Sequence, residues 1–261
     1  MSLLGALLVS AVLTAGLTSR TAWPRLVVEQ FPGPVRRAIA VVVLTLTLAV
    51  TAILPLSRIG HPAPMIDIES MSVPELFLGH AILAGCLLAW WALAGCRPLP
   101  AFLHFRLDRP REQIKIGVVA GLGGWAVTML VMALTGALLG VGADAGAAGG
   151  VEPEIPEMVR AIVGLSIPMR LALVCSAGFF EELFFRSFLQ ARGGLLLSTI
   201  LFTASHASYG MPLMLVGVFT VSIVLGRVFA RRGDVVPCMV AHAVFDAVQL
   251  FVILPVVVAN G

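Results

Sequence analysis

Long apolar stretches separated by short polar connections dominate this chain. Eight such stretches occur, at about 2–18, 38–56, 76–96, 116–141, 168–191, 194–207, 212–230 and 235–258. A helix that crosses a membrane needs about 20 consecutive, mostly apolar residues, and all but the short stretch at 194–207 come near that length. The pattern therefore predicts an all-α, polytopic membrane protein with about eight transmembrane helices.

Composition supports this class. Of the 261 residues, 59% are hydrophobic and 12% are charged, whereas soluble domains carry about 25% charged residues. The polar surface is too small for a soluble globular protein. No basic stripe with interleaved aromatic residues is present, so we expect no nucleic-acid partner.

Charge alternates between successive connections. Segments 19–37 and 97–115 are rich in arginine, whereas 57–75 and 142–157 are acidic. Basic connections usually face the cytoplasm, so the pattern predicts that both termini lie on the opposite side. Together with the short loops, this arginine-rich pattern predicts a multi-pass protein of a bacterial inner (cytoplasmic) membrane.

The connection at 142–157 is rich in glycine, alanine and proline, and such composition is typical of a boundary. It divides the chain into residues 1–157, with four predicted spans and a connecting loop, and residues 158–261, with the other four. Ionisable residues within apolar stretches concentrate in the second part.

Charged side chains at membrane depth cost about 2.5–3.5 kcal/mol each, so they are functional candidates by default. Here such side chains, together with two histidines, lie on three of the last four stretches. They are Glu181, Glu182 and Arg186 on the fifth, His206 on the sixth, and His242 and Asp246 on the eighth.

Helical spacing organises these residues. Glu182 and Arg186 are four residues apart and can pair, as can His242 and Asp246. Glu181 points about 100° away from Glu182, towards a different neighbour. The rise of a helix places Glu181, His206 and His242 at comparable depths, roughly 12–18 Å from the cytoplasmic ends. One shared site is predicted, although a buried ion pair with ordinary core histidines is the structural alternative.

Two chemistries suit such a cluster. In the first, Glu181 and His206 hold a water molecule that attacks a carbonyl carbon, while His242 and Asp246 stabilise the oxyanion. In the second, the histidines and a carboxylate bind zinc. The HExxH pattern of zinc proteases is absent, so we favour a site without a cofactor. The isolated residues His61, His80 and His104 are expected in loops or at the membrane interface.

Three motifs resemble those of a known family. EELFFR (181–186), FTASH (202–206) and HAVFD (242–246) are similar, in order, to the EExxxR, FxxxH and HxxxN motifs of the CAAX prenyl protease type II family. That family includes bacterial proteins linked to bacteriocin processing and self-immunity. The resemblance covers about 170–250.

The resemblance implies a glutamic intramembrane endopeptidase. Glu181 with His206 would activate water, His242 with Asp246 would form the oxyanion site, and Glu182 with Arg186 would support the first motif. The third motif ends in Asp246 where the family usually has Asn. Asp246 is then either a protonated donor or a residue that orients His242.

The expected substrate is a membrane-embedded or lipid-anchored peptide or protein. Eukaryotic relatives trim the residues that follow a prenylated cysteine, whereas a bacteriocin precursor or a C-terminal sorting signal suits a bacterial chain better. Two other functions fit the pattern. One is a non-catalytic immunity or scaffold protein, and the other is a proton-coupled transporter. Many transporters contain internal repeats, so the lack of a visible repeat counts against the transporter.

Overall fold

The computed structural model describes residues 2–18, 31–59, 72–140, 157–209 and 211–260, and every regular element in these ranges is helical. The eight main helices are α1 (Leu3–Thr18), α2 (Pro34–Leu48), α3 (Leu78–Leu93), α4 (Pro110–Leu138), α5 (Ile167–Glu182), α6 (Ala191–Ser205), α7 (Pro212–Arg232) and α8 (Val236–Val248). Each corresponds to one predicted apolar stretch. The all-α prediction is confirmed.

Three main helices continue in altered helical geometry. The α2 helix runs on as a π-helical turn, Ala49–Ile53, and a 3-10 helix, Leu54–Arg58. The α5 helix continues as a π-helix, Leu183–Gln190, and α8 continues through a π-helical turn, Gln249–Ile253, into the helix Leu254–Asn260. Shorter helices cover Val73–Leu76, Leu99–Phe102, Glu157–Gly164 and Ala207–Tyr209.

Within the described ranges, four continuous helices are long and apolar enough to cross a membrane: Pro34–Ser57, Pro110–Leu138, Pro212–Arg232 and Val236–Ala259. The apolar helices Leu3–Leu17 and Leu78–Leu93 are shorter. Large apolar side chains on the outer faces, including Leu130 and Leu134 of α4, are more than half exposed, as a lipid-facing surface requires. The chain is an integral, polytopic membrane protein. The number of crossings and their orientation stay predictions.

Local sequence explains where these helices begin and end. Proline occupies the first turn of α4, α5, α7 and α8, where the missing N–H has no intrahelical partner. The Ser166 hydroxyl accepts a bond from the Met169 backbone N–H at 3.4 Å and caps α5. Gly233 ends α7 with φ of 60°, a conformation that glycine adopts without strain.

Helix α8 lies at the centre of the C-terminal helices. It packs against α4, α5 and α7, while α7 also contacts α6, and α3 contacts α5. Glycines bring these backbones close. A Cβ atom at Gly121 of α4 would lie 2.6 Å from the Ala241 carbonyl oxygen, and one at Gly178 of α5 would lie 2.9 Å from the Met239 carbonyl oxygen. Small residues permit this close approach of membrane helices.

The fifth and sixth predicted stretches join with almost no connection. Gly194, with φ of 79° and ψ of 172°, breaks the helical geometry inside α6, so the chain direction changes there. The predicted boundary at 142–157 falls almost wholly on residues outside the described ranges. The division at residue 157 therefore stays a prediction.

Candidate active site

A cavity of about 300 Å³ opens among α3, α5, α6, α7 and α8. Much of its wall is apolar, including Leu173, Met214, Val218 and Leu254. Its polar side chains come from four helices and the turn after α8: His80, Glu181, His206, His242, Asp246 and Gln249. Four of the six predicted site residues therefore line one cavity, and the other two lie directly behind it.

The two adjacent glutamates face different surroundings, as helical spacing predicts. Glu181 lines the cavity, and its side chain is 15% exposed. Glu182 is completely buried. Its Oε2 accepts a hydrogen bond from Arg186 Nε at 3.0 Å, so the predicted pairing of these two residues is present in the structure.

Arg186 extends this buried network. Its Nη1 donates to the Ser222 hydroxyl of α7 at 3.0 Å, and its guanidinium carbon lies 4.8 Å from the centroid of the Phe202 ring. Among the described residues, Nη2 has no hydrogen-bond partner. The pair thus ties α5 to α6 and α7 behind the cavity, where an ion needs both a partner charge and hydrogen bonds.

His242 lies between two carboxyl groups. Its Nδ1 is 2.9 Å from Glu182 Oε1, and its Nε2 is 3.4 Å from Asp246 Oδ2. A carboxylate only accepts hydrogen bonds, so Nδ1 carries the proton that it donates to Glu182. Nε2 then faces Asp246 and the cavity. The contact supports the reading in which Asp246 orients His242.

His206 faces Glu181 across a short gap. Its Nε2 lies 3.9 Å from Glu181 Oε2. Its Nδ1 is 2.8 Å from the Phe202 carbonyl oxygen, and this acceptor places the proton of a neutral ring on Nδ1. Nε2 is then an acceptor, as is the carboxylate oxygen. A water molecule at a usual hydrogen-bond distance of about 2.8 Å from both atoms can donate one hydrogen to each.

The expectation that His80 stands alone is wrong, and the residue does not lie in a loop; a position at the membrane interface stays a prediction. His80 lies on α3, which packs against α5, and its Nε2 is 3.3 Å from Glu181 Oε1. Its Nδ1 lies 2.7 Å from the Ser176 hydroxyl oxygen. One signal pointed to it: the apolar stretch 76–96 contains His80 but no Asp, Glu, Lys or Arg, and polar ionisable residues at membrane depth are functional candidates.

The other two histidines fall elsewhere. His104 lies in the connection between Leu99–Phe102 and α4, as predicted, with its Nδ1 3.5 Å from the Ser187 hydroxyl. His61 is outside the described residues. Gln249 also lines the cavity but was not among the predicted site residues. Trp125 of α4 donates its indole N–H to the Gln249 side-chain oxygen at 3.2 Å, and this fixes the amide at the cavity wall.

Across the described ranges, no three histidine, cysteine, aspartate or glutamate side chains are arranged so that they could hold a metal ion. The zinc interpretation predicts such a group from two histidines and a carboxylate. The expectation of a site without a cofactor stays a prediction.

Comparison with known proteins gives one family and one relative. Residues 163–248 match the family described as "Type II CAAX prenyl endopeptidase Rce1-like". A Bacillus subtilis (strain 168) protein, "Uncharacterized protein YpbD", is 34% identical over 84 residues, which are 32% of this chain and 44% of that protein. The chain thus spans less than half the length of this relative. No solved structure matches.

Proposed function

We propose that this protein hydrolyses a peptide bond of a membrane-associated substrate, because residues 163–248 match the family of type II CAAX prenyl endopeptidases. The observation that carries the proposal is the Glu181–His206 pair. Glu181 Oε2 and His206 Nε2 lie 3.9 Å apart at the wall of a cavity that His242 and Asp246 also line. This geometry suits a shared nucleophilic water molecule.

In the proposed reaction, the water oxygen attacks the carbonyl carbon of the substrate while Glu181 takes one of its protons. A C–O bond forms, and the carbonyl π electrons move to the oxygen to give a tetrahedral oxyanion. Collapse of this intermediate breaks the C–N bond. The nitrogen leaves as an amine after it receives the proton held by Glu181.

His242 is the proposed partner of the oxyanion. Its Nε2 faces the cavity near Asp246, and a proton shared by this pair can be donated to the developing negative charge. Glu182 fixes the ring from behind through Nδ1. Glu182 and Arg186, both fully buried, act as supports that do not touch the substrate.

The apolar wall of the cavity favours an apolar substrate segment. A membrane-embedded or lipid-anchored peptide reaches such a cavity without leaving the bilayer, which is the bacterial inner membrane in this proposal. The peptide assay described next distinguishes two candidate substrates, a prenylated peptide and an unmodified signal segment.

The test uses purified protein in detergent with internally quenched peptides, half of which carry an S-farnesyl cysteine. We expect cleavage by the native chain and none by Glu181→Ala or His206→Ala. Glu75→Gln is the matched control because Glu75 is exposed and hydrogen-bonds to Ser72, three residues away. Folded Glu181→Ala protein that still cleaves would refute the mechanism. The quenched peptides also identify a substrate for the experiments below.

Comparison of membrane peptides from native and Glu181→Ala cells tests the activity in its natural setting. We expect an uncleaved precursor to accumulate only in the variant. If the cellular phenotype that the native chain produces is unchanged in Glu181→Ala cells, a non-catalytic role is supported instead.

Metal dependence is tested separately. We propose a metal-independent reaction, so cleavage should persist after prolonged dialysis against a chelator. Loss of cleavage that added zinc restores would support zinc chemistry and would contradict this part of the proposal.

A further inference from the structure

His80 lies outside the three motifs and outside residues 163–248 that match the family, yet it contacts the proposed general base. It is supplied by α3, about 100 positions before Glu181 in the chain. The side chains of His80 and Glu181 are each 15% exposed, so the contact occurs at the cavity wall.

The hydrogen-bond roles in this contact follow from the partners. The Glu181 carboxylate can only accept, so His80 Nε2 carries a proton and donates it to Oε1 across 3.3 Å. A neutral ring then has an acceptor at Nδ1. The Ser176 hydroxyl, 2.7 Å away, donates to that atom. Ser176 and Glu181 both belong to α5, so the ring links two points of the same helix.

Aromatic neighbours hold the ring in place. Phe180 of α5 stacks on His80 with centroids 6.2 Å apart and an interplanar angle of 20°. Phe77, the residue directly before α3, also contacts the ring, with centroids 6.3 Å apart. A ring that is stacked and bonded through both nitrogens has little rotational freedom, and its Nε2–H direction is fixed.

The two oxygens of Glu181 therefore have different surroundings. Oε1 meets His80, whereas Oε2 faces His206 at 3.9 Å and has no hydrogen-bond partner among the described residues. A carboxylate held through one oxygen cannot rotate freely about its last side-chain bond. Its other oxygen is thereby aimed at the position proposed for the water molecule.

The geometry points to His80 as a positioning residue of the proposed protease: with Nδ1 held by the Ser176 hydroxyl, it donates from Nε2 to Glu181 Oε1 so that Oε2 meets the water. This inference rests on the proposed function. Comparable supporting contacts change activity by about 10- to 100-fold when they are removed.

The experiment measures kcat and KM for a quenched peptide that the native chain cleaves. His80→Leu should lower kcat about 10- to 100-fold with KM nearly unchanged, because the substrate cavity stays while the base loses its orientation. His80→Gln, which keeps an N–H near the position of Nε2, should recover most of the lost kcat. Ser176→Ala should lower kcat by a smaller factor.

His104 supplies the matched control. It is also a histidine near a serine hydroxyl, but it does not line the cavity. Burial and the nearby Arg192 lower the pKa of His104, so the ring is neutral near pH 7 and His104→Gln removes no charge. We expect this variant to keep the native kcat.

Several results would overturn the inference. They are an unchanged kcat in folded His80→Leu, an equal loss of kcat in His80→Leu and His80→Gln, or a rise in the KM of His80→Leu with no change in its kcat. If His80→Leu does not fold, Ser176→Ala decides, since it removes one hydroxyl and an unchanged kcat contradicts the proposed orientation. Abolished cleavage in Glu181→Ala with normal kcat in His80→Leu would refute only the role of His80, whereas cleavage by Glu181→Ala would refute the proposed function itself.

Discussion

Adjacent carboxylates on α5 reach different environments because consecutive residues of a helix point about 100° apart. Glu181 lines the cavity, whereas Glu182 is enclosed with Arg186 and His242. A single-residue shift of the helix would exchange a cavity-facing carboxylate for a buried one. The two residues therefore carry separate predictions.

The contact of Asp246 with His242 predicts that the side-chain shape at position 246 matters more than its charge. Asn keeps the shape of Asp246, whose Oδ2 lies 3.4 Å from His242 Nε2, and its amide N–H can donate to the oxyanion in place of the proton shared by the native pair. Asn is also the usual residue of the resembling family. We expect kcat of Asp246→Asn to stay within a few-fold of native and that of Asp246→Leu to fall about 100-fold or more, as for the loss of an oxyanion donor. Peptide cleavage measures both.

An equal loss of kcat in Asp246→Asn and Asp246→Leu would show that the negative charge itself is required. The His242 contact would then have a different role from that proposed for oxyanion stabilisation.

The buried pair Glu182–Arg186 predicts a stability effect. Removing one partner leaves an uncompensated buried charge, which costs about 3–5 kcal/mol. Arg186→Met and Glu182→Leu should each destabilise the protein by that amount, while the double variant should lose less than the sum. Thermal unfolding in detergent measures the differences.

The exposed pair of Arg232 with Glu112, 3.2 Å apart, is the control for the buried one. Surface ion pairs contribute about 0–1 kcal/mol, so Arg232→Met should have little effect. Additive losses in the buried double variant would contradict a direct coupling between Glu182 and Arg186.

At the scale of the element, the π-helix Leu183–Gln190 stands out because all of its eight residues are buried. π-helical segments often occur at functional sites. Here the segment carries Arg186 towards α6 and α7, and the side-chain amide of Gln190 donates to the Gly226 carbonyl oxygen of α7 at 2.7 Å. The altered winding lets one helix offer polar groups to two neighbours.

Close packing of α4 on α8 gives an element-scale prediction. A Cβ atom at Gly121 would lie 2.6 Å from the Ala241 carbonyl oxygen, next to His242. Gly121→Ala must push the helices apart, with a cost of about 1–3 kcal/mol, and should lower kcat as His242 moves. Thermal unfolding and peptide cleavage measure the two effects.

Gly123 on the same helix is the matched control, because a Cβ atom there meets nothing within 4 Å. Gly123→Ala should leave the activity unchanged and the stability equal or slightly higher, since alanine favours a helix. A native Tm and kcat for Gly121→Ala would show that the contact with α8 is looser than the structure indicates.

At the scale of the whole molecule, sequence reasoning succeeded where the relevant spacing was local. The pairs Glu182–Arg186 and His242–Asp246 follow from a four-residue repeat, and matched depth predicted the approach of Glu181 to His206. Hydropathy likewise predicted each main helix.

Contacts between distant segments could not be predicted in this way. The helix periodicity of α3 does not indicate which neighbouring helix His80 faces. The glycines of α4 likewise do not indicate which helix packs closely against them, and only the structure identifies it as α8. Residues from both sides of the predicted boundary at 157 therefore line the cavity, with His80 before the boundary and all three motifs after it.

The site also restricts the shape of a substrate. In an α-helix each internal carbonyl oxygen accepts the N–H of the residue four positions later, and side chains surround the backbone. In the proposed reaction a helical peptide therefore unwinds before water held by Glu181 and His206 reaches its carbonyl carbon. Glycine or proline beside the cleaved bond should raise cleavage rates over alanine and leucine in matched quenched peptides; equal rates would mean that a coiled segment is accepted whole. Substrates would then be recognised by how easily their backbone straightens as much as by which side chains they carry.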